Sequence, residues 1–247
     1  MARASLKTRT VPSQTPKGNP VSYVIREGTS DGALLSAIVG HDEYGLRDLP
    51  PLSGWALDIG AHIGSVAIAL AVDHPDLRVV AVEPVPENVW SINESIIANN
   101  LSGRIEVVQA AAGPPGVLTT DLAYDWEHVD GVDDDHMHQN RFVGNVFREP
   151  HNRTVCSKVT VDVVSLPMLV MRYGSFRFAK TDCEGGEWSF FATGAEYVRE
   201  IVGEYHDRQW PAIAELLADS HDVEFLGGHP GIGLFRATRK DHMRAAP

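Results

Sequence analysis

From residue 54 onward, short apolar runs alternate with longer helix-compatible ones, and this alternation narrows the choice of fold more than any other feature. "GWALDIG" (54–60) reads as a buried strand ending in a turn. "SVAIALAVDH" (65–74) is Ala-rich and suits a helix closed by Pro75. "LRVVAVEP" (77–84) is a second strand. "PENVWSINESIIANN" (86–100) sets Val89, Ile92, Ile96 and Ile97 at helical spacing before Leu101, Ser102 and Gly103 break it. "RIEVVQAAAG" (104–113) reads as a third strand. Units of about 30 residues that alternate in this way pair their strands in parallel through right-handed crossovers, which predicts a doubly wound α/β sheet.

The alternation stops at residues 124–154, a polar, acidic stretch with several histidines and little periodicity. A segment of that length without its own elements predicts a lid-like insertion. It resumes with a strand in "SKVTVDVVSL" (157–166), a short helix in "PMLVMRYG" (167–174) and a strand opening "FRFAKTDCEGGEW" (176–188). "GAEYVREIVGEYH" (194–206) supplies another strand, and "PAIAELLADS" (211–220) a helix. "VEFLGG" (223–228) with "IGLFRAT" (232–238) predicts a closing antiparallel hairpin. Residues 1–20, rich in Pro, Thr and Ser, are expected to form a flexible tail, leaving 21–247 as a single domain.

The bulk properties exclude several partners. A formal net charge of −12, with no compensating Lys/Arg cluster, repels a polyanion, so nucleic acid is not expected as a substrate and a small molecule is. No apolar run reaches the roughly 18–20 residues of a membrane span, and the basic N-terminus lacks the apolar core of a secretory signal. Two cysteines make no disulfide framework and point to the cytoplasm. The chain remains free to form a homo-oligomer.

"LDIGAHIGS" (57–65) follows the first strand of the alternation and opens a helix. In an open α/β sheet the ligand sits at the carboxyl ends of the strands, near the point where strand order reverses. Gly60 permits the tight turn and Gly64 a close helix approach. Glu83 ends the next strand, where an acid takes ribose hydroxyls, so an adenosine-bearing ligand is expected. Asp58 in the Asp-x-Gly-x-x-x-Gly loop repels a pyrophosphate but suits the cationic S-adenosylmethionine. A second use for Asp58 is to cap the following helix. A dinucleotide-dependent oxidoreductase is the alternative enzyme class.

"LDIGAHIGSVAIALA", "AVEPVPENVWSINESIIANN", "VVQAAAG", "KTDCEGGEW" and "GEYH" occur in the order seen in the FkbM family of S-adenosylmethionine-dependent methyltransferases, which the chain resembles over roughly residues 52–206. The resemblance implies a class I methyltransferase (Rossmann-like) fold and transfer to an oxygen of a small molecule, such as a natural-product intermediate or a sugar. By position it implies that Asp58, Gly60, His62, Gly64 and Glu83 line the cofactor site, with Asn88 steadying the second helix beside it.

Methyl transfer to a hydroxyl needs the acceptor held near the methyl group and a route for its proton. The candidates stand at two later strand ends: Lys180, Asp182, Glu184 and Glu187 at one, Glu204 and His206 at the other. His206 or Asp182 can serve as general base. A metal-assisted route, with Asp182, Glu204 and His206 holding a divalent ion, is the alternative and is not favoured. Lys180 and Glu184 can instead pair with each other or with Glu204, and Glu187 can favour a helix dipole. Trp126, His128, His136, His138 and Phe142 of the insertion are candidates to meet substrate, whereas "DDDHMH" (133–138) lacks metal-ligand spacing.

Overall fold

The computed structural model describes residues 7–124, 157–206, 210–229 and 231–241. Thr8–Gln14 (β1) pairs antiparallel with Pro20–Arg26 (β2), with Thr8 opposite Arg26 and Gln14 opposite Pro20. Much of the segment expected as a flexible tail is therefore a strand. After β2 come α1 (Asp31–Leu35), continued by a π-helical turn over Ser36–Gly40, then β3 (Gly54–Ile59), α2 (Ser65–Asp73), β4 (Leu77–Val82), α3 (Pro86–Ala98) and β5 (Ile105–Val108).

What read as one third strand is split. β5 ends at Val108, and Ala111–Ala112 (β6) joins a separate three-stranded sheet with Thr119–Tyr124 (β7) and Ser157–Val164 (β8). β8 runs parallel to β6 and antiparallel to β7. The expected lid falls almost wholly between β7 and β8, outside the described residues, as do its candidate substrate contacts. Next come α4 (Leu166–Tyr173), β9 (Phe176–Thr181), α5 (Glu187–Phe190), β10 (Glu200–His206), α6 (Trp210–Leu217), β11 (His221–His229) and β12 (Ile232–Arg239).

The main sheet has the order β11-β12-β10-β9-β3-β4-β5. Its first five members along the chain are parallel, and the hairpin β11–β12 adds an antiparallel edge through β12 against β10. The strands bury both faces. Ala56, Val79, Ala81, Phe178 and Val202 face one core with α2 and α3 residues, and Leu57, Ile59, Val80, Ala179 and Ile201 face the other. That two-residue period is the pleat of a sheet covered on both sides. Strand order reverses between β3 and β9, which places a crevice at their carboxyl ends. Among the described residues no helix is long and apolar enough to cross a membrane.

The β1–β2 ribbon docks on α3 through side chains that act as a strand partner would. Asn99 accepts the Ser22 N–H at 2.9 Å and donates to the Ser22 carbonyl at 2.6 Å. Ser95 Oγ accepts the Val24 N–H at 2.9 Å.

The ends of β3 and β9 touch backbone to backbone. The Asp182 N–H donates to the Ile59 carbonyl at 3.0 Å, and a Cβ on Gly60 would lie 1.9 Å from the Asp182 carbonyl oxygen. Gly60 also has φ +70, whereas Gly18 has φ +87 with open space around it. Gly60→Ala adds overpacking of about 1–3 kcal/mol to a left-handed backbone penalty of about 1–2 kcal/mol. Gly18→Ala carries the backbone penalty alone. Denaturant unfolding should therefore show Gly60→Ala losing clearly more stability than Gly18→Ala; equal losses would mean that the β3–β9 approach is loose.

Candidate cofactor and acceptor site

The loop after β3 is wound tightly and tied to β4. Gly60, His62 and Gly64 all have positive φ, at 70°, 51° and 83°. The Gly60 and Ala61 N–H groups both donate to the Val82 carbonyl at 3.0 Å. Beyond this loop opens a cleft. Gly60, His62, Glu83, Lys180, Asp182 and Glu184 stand on its wall, with Val82 and Ala110–Ala112 as an apolar side.

Three of the predicted cofactor residues stand behind that wall. Asp58 is fully buried, and its Oδ2 accepts the Ala67 N–H of α2 at 2.9 Å, so the structure gives it the helix-capping use. Its Oδ1 lies 3.6 Å from Lys180 Nζ, across the β3–β9 register. Burial pushes the Asp58 carboxyl up, and Lys180 pulls against that. Gly64 caps α2 and packs toward Ile92. Asn88 donates to Glu83 Oε1 at 3.0 Å and so positions that acid.

Glu83 is held by two further donors, the His62 N–H at 2.8 Å and the Val85 N–H at 3.0 Å. Burial raises its carboxyl to about 6 although all three hydrogen bonds favour the charge. His62 presents two ring nitrogens that have no hydrogen-bond partner, with Nε2 3.6 Å from Asp31 Oδ1. Burial pulls this imidazole down to about 4, Asp31 opposes the shift and Arg26 adds to it, so the ring is neutral. Asp31 itself is closed by Arg26 in a buried two-bond ion pair at 2.9 and 2.7 Å.

Lys180 does not pair with Glu184 or Glu204 as one expectation had it. Its Nζ donates to the Gly60 carbonyl at 2.8 Å and lies 3.9 Å from Asp182 Oδ2. Burial works to lower the ammonium pKa, but Asp58 and Asp182 outweigh it and the net shift is upward. Asp182 is also held by the Tyr44 hydroxyl at 3.2 Å. Glu187 does more than favour a helix dipole. It is fully buried and accepts the His206 N–H at 2.7 Å and the Gly185 N–H at 2.9 Å, which joins the ends of β9 and β10.

His206 and Glu204 lie beside the cleft wall rather than on it. His206 Nε2 is 3.2 Å from Glu204, 3.7 Å from Glu184 and 3.9 Å from Asp182. Burial disfavours the charged ring, yet Glu187, Glu204, Asp182 and Glu184 together push it up to about 11. Those carboxylates favour the protonated ring, which works against the expected use of His206 as general base. Tyr44, Leu34 and Ile38, which support or line the cleft, precede the recognisable motifs and carried no signal in the sequence. Ala110–Ala112 sit inside the "VVQAAAG" motif and were legible as motif but not as wall.

This wall fits S-adenosylmethionine: an apolar side for a flat base, a buried acid for hydroxyls and unpartnered polar atoms on His62. Comparison with known proteins agrees. Residues 58–225 match the methyltransferase FkbM domain. A 72-residue stretch is 33% identical to ribosomal RNA small subunit methyltransferase G of Frankia casuarinae, over 29% of this chain and 27% of that protein's length. Among solved structures, P. horikoshii TYW2 in complex with MeSAdo is similar at TM-score 0.49 and 11% identity, covering 95% of this chain and 71% of the other. The precorrin-6y C5,15-methyltransferase of Geobacter metallireducens gives 0.40 and 15%, covering 85% and 87%. Structural likenesses this weak carry no argument about this chain. The family match reaches from Asp58, beneath the cleft, into the closing hairpin: the chain belongs to the FkbM methyltransferase family.

Proposed function

We propose that the enzyme methylates a hydroxyl of a small molecule, a natural-product intermediate or a sugar. The observation that carries this reading is the run of carboxylates at the far end of the cleft. Asp182 and Glu184 stand on its wall, and Glu204 lies behind them around His206. That end repels a phosphate backbone and accepts a proton from a neutral hydroxyl. The overall charge of −12 acts in the same sense and also argues against nucleic acid as a partner. Cys183, the cysteine among the described residues, is free, which fits a cytoplasmic setting.

Glu83 would take a ribose hydroxyl of the cofactor: a carboxylate has about four acceptor sites and protein donors fill three here. His62 and Gly60 would line the cofactor directly. Asp58, Gly64 and Asn88 would hold those residues in place. Bound there, S-adenosylmethionine supplies an electrophilic methyl group on its sulfonium. The chain's part is to orient the acceptor hydroxyl at Asp182 and Glu184 and to provide for its proton, with Lys180 and Tyr44 fixing Asp182.

Transfer of labelled methyl from S-adenosylmethionine to panels of sugars, polyketide-type alcohols and RNA tests the reading. Label should enter the hydroxyl compounds; label entering RNA alone, or binding of NAD in place of S-adenosylhomocysteine, would overturn it. Asp182→Asn should keep S-adenosylhomocysteine affinity within about threefold while kcat falls by roughly 10²–10⁴-fold, the usual span for a lost proton-transfer group. A matching loss of affinity would instead place Asp182 in cofactor binding.

Glu83 sets a pH dependence. Its carboxyl is neutral below about 6 and charged above, and a hydroxyl donor favours the charged form. Calorimetric affinity for S-adenosylhomocysteine should therefore rise with pH through about 6 and then level off, changing at most about tenfold per unit below it. Glu83→Gln should bind weakly and without that step.

A further inference from the structure

We propose that Asp31 is a positioning residue for the cofactor: it holds the His62 imidazole with its proton on Nε2, so that Nδ1 accepts a hydrogen bond from a hydroxyl or ammonium group of S-adenosylmethionine. The proposal deepens the reading of His62 as a cofactor contact and rests on it.

His62 stands on the cleft wall, and both its ring nitrogens are buried without a hydrogen-bond partner among the described residues. Buried polar atoms are nearly always paired, so an orphan at the edge of a cleft points to a partner from outside the chain. The backbone of His62 is pinned meanwhile. The loop holds it at φ 51°, and its N–H donates to Glu83 Oε2 at 2.8 Å.

Asp31 decides which nitrogen carries the proton. Burial keeps the ring uncharged, which leaves two neutral tautomers. They differ in what Nε2 presents to Asp31 Oδ1, 3.6 Å away. A proton there is attracted by the carboxylate, and a lone pair there is repelled. The separation is longer than a hydrogen bond, so Asp31 acts through its charge.

That charge is secured from behind. Arg26 Nη2 donates to Oδ1 at 2.7 Å, and its Nε and backbone N–H each donate to Oδ2 at 2.9 Å. Burial works to raise the Asp31 carboxyl, but these bonds and the facing ring outweigh it and the net shift is downward. Arg26, Lys180 and Asp182 are the other charges that act on the His62 ring, each more weakly than Asp31.

The segment that brings Asp31 here precedes the matched domain, which begins at Asp58. Asp31 opens α1 soon after β2, and Leu34 of α1 and Ile38 of the π-helical turn line the same cleft. The N-terminal segment thus supplies part of the cleft wall together with the charge that sets His62.

The test is a long-range proton–nitrogen correlation spectrum of the full chain carrying ¹⁵N-labelled histidine, at neutral pH. His62→Asn identifies the His62 signals, since Asn tolerates a left-handed backbone. The unliganded chain should show Nε2 protonated and Nδ1 bare, and S-adenosylhomocysteine should shift Nδ1 as it accepts a hydrogen bond. Asp31→Asn should give a mixture of tautomers and weaken S-adenosylhomocysteine by roughly three- to tenfold, the worth of one hydrogen bond. In the His62→Asn background the same change should cost nothing more.

A proton on Nδ1 in the unmodified chain overturns the proposal. So does an Nδ1 that S-adenosylhomocysteine leaves unmoved, or an Asp31→Asn loss that is equal with and without His62. If Asp31→Asn does not fold, Asp31→Asn with Arg26→Gln removes both buried charges and takes its place, and the spectra of the unmodified chain decide without either. Methylthioadenosine keeps the ribose hydroxyls and lacks the ammonium. A His62→Asn loss that persists with it assigns the donor to a hydroxyl, and one that vanishes assigns it to the ammonium. The tautomer is read without ligand, so failure of the unmodified chain to bind S-adenosylhomocysteine at all would sink the cofactor reading and the acceptor role that rests on it, with the tautomer result still in place.

Discussion

A buried ammonium group joins the strand ends on which the cleft is built. Lys180 is 2% exposed and sits opposite Asp58 in the β3–β9 register. It donates to the Gly60 carbonyl at 2.8 Å and lies between the carboxylates of Asp58 and Asp182. Removing a cation from such a place leaves an uncompensated buried charge, which commonly costs about 3–5 kcal/mol. Asp58 in turn caps α2, so the helix start, the glycine loop and the end of β9 share one electrostatic knot. The geometry at both ends of the cleft depends on it. Glu83 is reached through the loop that Lys180 holds, and Asp182 is its direct neighbour.

The part of the fold that was legible in the sequence is the part whose signal is local. β3, α2, β4 and α3 have bounds close to the apolar runs and breaks that mark them, because each buries a face set by its own periodicity. The closing hairpin was legible for the same reason. β1 was not: "TRTVPSQ" carries a proline and polar residues and is mostly exposed. Its partner β2 is held by Asn99 and Ser95, whose side chains on a helix more than 70 residues away replace a strand's backbone. No periodicity within β1 or β2 records such a contact. The split of "RIEVVQAAAG" is a similar case, since Ala111–Ala112 leave the main sheet to pair with β8.

For the site, the sequence identified the relevant residue types but not the depth at which each one stands. Asp58 and Glu187 looked like groups that touch a ligand or a dipole, and each proves to hold another group in place, while Asn88, expected to steady the second helix, positions Glu83. Depth is a property of the fold: which pleat faces the cleft depends on β9 lying beside β3, and that pairing crosses more than 100 residues. Tyr44 reaches Asp182 across a separation of 138 residues, from a stretch with no motif.

The acids around the cleft sort themselves by how their oxygens are used. Glu187 spends one oxygen on each of two backbone N–H groups, Glu83 accepts three donors, and Asp58 accepts a helix N–H while facing Lys180. These are carboxylates whose charge the fold itself answers. Asp182, Glu184 and Glu204 converge on one imidazole nitrogen, and Asp182 is held in addition by the Tyr44 hydroxyl and Lys180. Holding like charges that close works against folding unless something else benefits from them. A proton arriving from an acceptor hydroxyl, as the proposed function has it, relieves that repulsion. Under the proposed function that repulsion belongs to the acceptor end, at β9 and β10, away from the acids at β3 and β4 whose oxygens are already used.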